Sequence, residues 1–63
     1  MRVEASTPIA EYSLEQTAED TIVMIQRRYG PEYPGVDLVE HMTRAEANSF
    51  LFNLSGYIDK VEF

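Results

Sequence analysis

Ser13-Leu14-Glu15-Gln16-Thr17-Ala18-Glu19-Asp20-Thr21-Ile22-Val23-Met24-Ile25-Gln26-Arg27-Arg28-Tyr29 is the stretch on which any reading of this fold turns. Leu14, Ala18, Ile22, Ile25 and Tyr29 recur at intervals of four, four, three and four. At about 100° per residue this gathers them in one quadrant of a helix. Ser13 and Gln16 have the spacing of a capping box, and Gly30-Pro31 supplies a stop. Glu15, Glu19 and Asp20 lie toward the start, with Arg27 and Arg28 in the last turn, the order that complements a helix dipole. The spacing therefore predicts a helix over 13–29.

Outward from this stretch, a second helix is marked at Thr43. Glu46 completes a capping box and Met42 is placed to pack on Ala47. Ala47, Phe50, Leu51 and Leu54 recur at the helical interval, and Gly56 offers a left-handed terminus, which puts the end near Ser55. Residues 2–6 alternate apolar and polar side chains as a strand does, and Pro8 ends the run. Val36-Asp37-Leu38-Val39-Glu40, after the turn-like Tyr33-Pro34-Gly35, and residues 57–63 complete three strands. The resulting expectation is a single α+β domain over 1–63, two amphipathic helices on a short three-stranded sheet in the order βαβαβ. If residues 36–41 instead form a helical turn running into Thr43, the domain is mostly helical.

Composition narrows the function. The chain of 63 residues carries 11 acidic and 5 basic side chains, a net charge of -6. Nucleic-acid phosphates are disfavoured as a direct ligand, because their binding depends on neutralisation by Lys and Arg. Cysteine is absent, so neither disulfides nor thiolate metal sites reinforce a core of this size, and association with another chain is the remaining reinforcement. The longest apolar run, Ile22-Val23-Met24-Ile25, is far short of the ~20 residues of a spanning helix. The N-terminal residues lack the apolar stretch of a signal peptide. Both observations predict a cytoplasmic protein without a membrane role. Asn53-Leu54-Ser55 fits a glycosylation pattern only by chance on that reading.

Little in the chain suits catalysis. His41 has Asp37 and Glu40 nearby. On a strand, however, Asp37 and His41 stand roughly 13 Å apart at ~3.3 Å per residue, and Glu40 points to the other face. As a helical pair they supply two ligands where a zinc site needs three or four. The serines share one histidine and none lies in a Gly-x-Ser-x-Gly elbow, and Gly30, Gly35 and Gly56 form no phosphate loop. No enzymatic activity, metal or cofactor is expected. Arg27 and Arg28, with Tyr29 and Tyr33 nearby, form the one cluster suited to an anion or a base, and a helix end already accounts for the two arginines.

The apolar residues off the predicted stripes say more. On the first helix Val23 projects about 140° from the stripe centre and Met24 lies on its flank, while Phe52 occupies the wrong side of the second. Val23, Met24 and Phe52 are therefore expected at a homodimer seam or a partner site. Glu15, Glu19 and Asp20 form the expected acidic partner-binding face. The combined expectation is a small non-enzymatic protein that docks on a basic surface of another protein, as an inhibitor of a nucleic-acid-binding protein does when it mimics DNA, in the manner of phage or mobile-element inhibitors. The alternative is a structural or accessory subunit stable as a homo-oligomer.

Overall fold

The computed structural model describes residues 1–30 and 37–63. Five strands, β1 (Arg2–Ser6), β2 (Ala10–Ala18), β3 (Thr21–Arg28), β4 (Leu38–Met42) and β5 (Ile58–Glu62), form one antiparallel sheet in the order β4-β3-β2-β1-β5. One helix, α1 (Arg44–Asn53), carries the chain from β4 at one edge to β5 at the other, with a 3-10 turn at Ser55–Tyr57 between them. The three-stranded sheet with two helices is thus corrected to five strands and one α-helix among the described residues, and the mostly helical alternative is corrected with it.

The decisive change is at 13–29, where the predicted helix is a β-hairpin. Ala10, Tyr12, Leu14 and Gln16 alternate with Glu11, Ser13, Glu15 and Thr17, the period of a strand with one buried face. Thr21-Ile22-Val23-Met24-Ile25 is rich in β-branched residues, whose stiff χ1 suits a pleated surface. The turn between them, at Glu19-Asp20, contains no residue with positive φ, so it is not the primed type that Asn-Gly would announce. A bulge between Gln16 and Ala18 accommodates the twist instead. The helical spacing of Leu14, Ala18, Ile22 and Ile25 is coincidental: Leu14 and Ile22 point to one face of the sheet, Ile25 to the other.

Strand register sets the two faces. Val3, Leu14 and Met24 stand opposite one another across β1, β2 and β3, and Ile22 lies in the next row. These four, with Ala47 of α1, form the buried cluster, and Tyr12, Met42, Phe50 and Leu51 pack around it. Tyr12 and Phe50 meet edge to face with ring centroids 5.4 Å apart, fastening the helix to the sheet. Met24, expected at an outer seam, is 2% exposed in this core.

Turns are held by short-range polar contacts. Between β1 and β2 the Thr7 hydroxyl accepts from the Ile9 and Ala10 amides and donates to the Ala10 carbonyl, while Pro8 occupies a position that needs no amide. Gly30, with φ of 135°, ends β3 in a conformation that other residues rarely adopt. At the start of β4, the Asp37 carboxylate accepts from Gln26 at 2.8 Å and lies 2.9 Å from the Arg28 guanidinium. The turn expected at Tyr33-Pro34-Gly35 lies outside the described residues.

The second helix is as its sequence signals indicate at its start. Thr43 accepts from the Glu46 amide, and the Glu46 carboxylate accepts from the Thr43 amide. Gly56 does not take up the left-handed conformation; the helix tightens into the 3-10 turn, with the Tyr57 amide bonded to the Leu54 carbonyl. An unexpected tie comes from Asp20 in the β2–β3 turn, whose carboxylate accepts from the Arg44 amide at 3.1 Å. A carboxylate at a helix N-terminus satisfies a free donor and favours the dipole.

Leu14→Ala is expected to cost about 2–5 kcal/mol, as deletion of a fully buried leucine does, and Thr43→Ala about 1 kcal/mol. Leu54, which is only half-buried, is expected to cost less than Leu14. Urea denaturation of the three variants checks this order. Asp20→Ala is expected to lower the melting temperature while Glu19→Gln leaves it unchanged, because only Asp20 bonds the helix start. Thermal melts followed by circular dichroism separate the two.

Candidate functional site

α1 packs across β3 and β4 on one face of the sheet, and among the described residues no helix or strand covers the opposite, open face. Register places Arg2, Glu4, Glu11, Ser13, Glu15, Val23, Ile25, Arg27, Val39, His41, Lys60 and Glu62 there, each alternating with a residue of the core face. Val23 and Ile25 are half-buried and Val39 is exposed, forming an apolar strip on β3 and β4. On β1 and β2 the strip gives way to a shallow concavity of about 250 Å³, into which Glu4, Glu11, Glu15, Ser13, Arg2 and Arg27 converge.

The charges of this face are arranged in opposed pairs. Arg2 lies 3.1 Å from Glu4 and 3.9 Å from Glu15, and stands opposite Glu62 across the β1–β5 seam. Glu4 stands opposite Lys60, which itself lies 3.4 Å from Glu62. These side chains are 40–61% exposed, so each pair contributes little to stability and the carboxylates remain accessible. Glu11 and Arg27 occupy opposed register positions on β2 and β3.

Sequence expectations for the site are redistributed. Glu15, Glu19 and Asp20 do not share a helix surface. Glu15 projects from β2 into the open face, Glu19 and Asp20 form the hairpin turn, and Asp20 is engaged with the Arg44 amide. Val23 and Met24 part company because neighbouring strand residues point oppositely, Val23 to the open face and Met24 into the core. Phe52 is 78% exposed on the helix, away from both. Glu4 and Glu11 were missed. Their alternation with Val3 and Ala5, and with Ala10 and Tyr12, was the available signal, and for Glu11 the helix assignment next to it obscured that signal.

Chemistry-bearing residues are dispersed. His41 stands opposite Val23, and two strand spacings of about 4.8 Å separate its strand from that of Ser13. Glu40 points to the helix face, because it stands opposite the buried Met24. Among the described residues no group of three His, Asp or Glu side chains is placed to hold a metal ion, and no helix is long and apolar enough to cross a membrane. Arg27 and Arg28, expected side by side at a helix end, lie on opposite faces of β3, Arg28 with Asp37 and Arg27 over the concavity. Tyr33 lies outside the described residues. No family model, curated protein or solved structure matches the chain.

Proposed function

We propose that the chain is a non-enzymatic binding protein of the cytoplasm that presents the open face of its sheet to a basic surface of another protein. The observation that carries this reading is a sheet that the described residues cover on one side only, whose other side sets Val23, Ile25 and Val39 beside the carboxylates of Glu4, Glu11 and Glu15. An apolar strip with a charged margin is the anatomy of a protein interface, where apolar contact supplies affinity and charge supplies selection. The net charge of -6 directs that selection toward basic partners and speeds their encounter. Proteins whose grooves bind nucleic-acid phosphates are one such class, and occupying their groove inhibits them.

The test compares two doubly substituted chains that lose the same charge. Glu11→Gln/Glu15→Gln neutralises the open face, whereas Glu19→Gln/Glu40→Gln acts at the hairpin turn and on the helix face. Each chain is immobilised and exposed to a bacterial lysate, and captured proteins are compared by mass spectrometry. The expected result is a protein held by the unaltered chain and by Glu19→Gln/Glu40→Gln and lost from Glu11→Gln/Glu15→Gln. Its association rate with the open-face variant should fall several-fold at low salt and converge toward the unaltered value at high salt. Equal capture by all three chains overturns the assignment of the open face.

A further inference from the structure

The two edges of the sheet differ. At the β4 edge Glu40 projects toward the core face, and an inward-pointing charge blocks pairing with another strand. On β5 the register places Lys60 and Glu62 on the open face and Val61 on the core face, with Asp59 in the bulge. All five of its residues are exposed, and among the described residues nothing pairs with its outer side. Val61 and Ile58 stand on the core face opposite Val3 and Ala5, yet they are 46% and 36% exposed, with Phe63 fully exposed beyond them.

What could cover this edge is written in the seam that β5 already makes. Arg2-Val3-Glu4 of β1 runs antiparallel to Glu62-Val61-Lys60, so each flanking charge meets its opposite and the valines meet each other. Lys60-Val61-Glu62 repeats the pattern of Arg2-Val3-Glu4: a cation, a valine, a carboxylate. A second β5, laid antiparallel on the outer side, therefore offers the same order of cation, valine and carboxylate that β1 offers on the inner side, with Lys60 in the place of Arg2. With Val61 opposite Val61 of the second copy, Lys60 faces Glu62 and Glu62 faces Lys60. Both ion pairs fall on the open face and the valines on the core face. The bulge between Lys60 and Ile58 confines regular pairing to this triplet.

We propose that the β5 edge is a self-complementary interface through which two copies of this chain associate about a two-fold axis, in the register Val61 to Val61. The pairing satisfies the outward backbone groups of this triplet in both copies, covers the exposed valines, and closes, since each copy has one such edge. It is independent of the open-face reading, because partner capture can fail while the dimer stands, and the reverse. β4 cannot substitute for either strand. A β4–β4 pairing centred on the strand sets Glu40 against Glu40, and a β4–β5 pairing sets Glu40 against the apolar residues of β5.

The absence of cysteine makes the register directly testable. The unaltered chain is examined by light scattering over a range of concentrations, and Val61→Cys and Phe52→Cys are oxidised under identical conditions. The expected result is a concentration-dependent dimer, with Val61→Cys linking to itself about ten-fold or more faster than Phe52→Cys, because directly opposed residues of antiparallel strands have Cα atoms only ~4.5–5.5 Å apart. Lys60→Glu is expected to weaken the dimer about ten-fold, as it sets like charges opposite one another twice. Should Lys60→Glu disturb the seam with Glu4 and fail to fold, the Val61→Cys result decides alone. A monomer at every concentration, a dimer in which Phe52→Cys links as fast as Val61→Cys, or a folded Lys60→Glu chain that dimerises as tightly as the unaltered one overturns the proposal.

Discussion

The row Val3-Leu14-Met24, running across three strands beneath Ala47, is the constraint on which the molecule rests. Side chains alternate strictly along a strand, so fixing Leu14 inward fixes Glu11, Ser13 and Glu15 outward, and its neighbours fix Glu4 and Val23 in turn. A slip of one residue in β2 would place Glu15 under the helix and Leu14 in water. The composition of the open face is thus a by-product of packing the other one. Burial also selects one register firmly where charge pairs alone would not, because exposed pairs such as Arg2 with Glu15 carry little energy.

Part of this arrangement was legible in the residues. β1 alternates cleanly, and Thr43 with Glu46 marked the helix start by reciprocal bonds that need no tertiary partner. The β2–β3 hairpin was not, for two physical reasons. Its turn uses Glu19-Asp20 without positive φ, so the usual glycine or asparagine signal is missing. β3 is apolar on both faces at Ile22-Val23-Met24-Ile25, because its outward residues are half-buried in the open face, and a run without alternation fits a helix as readily as a strand. The grouping of the candidate residues changed with it. Glu15, Glu19 and Asp20 gather only on a helix, and in the sheet they serve three different ends.

The open face and the β5 edge are two outlets of one architecture. A single helix cannot cover both sides of a five-stranded sheet, and α1 is the one α-helix among the described residues. Joined at β5, two copies would carry their open faces on one side of a continuous sheet, with Arg2, Glu4, Lys60 and Glu62 of both copies alternating along the join. A partner meeting that surface would contact two apolar strips instead of one.

β5 closes the sheet by pairing with β1, so the first and last strands of the sequence meet. Every other neighbouring pair in the sheet joins strands consecutive in sequence, and its contacts form with short loops to close. The β1–β5 seam alone joins strands more than fifty residues apart in sequence (Arg2 with Glu62), and β5 is exposed throughout. Its amides should be the first of the sheet to exchange with solvent, while those of β2 and β3 are protected longest. Each fraying of β5 uncovers Arg2-Val3-Glu4 as a vacant edge, and the β5 of another molecule fits that edge as well as its own. The contact that completes the fold is also the one at which strands can be exchanged between molecules.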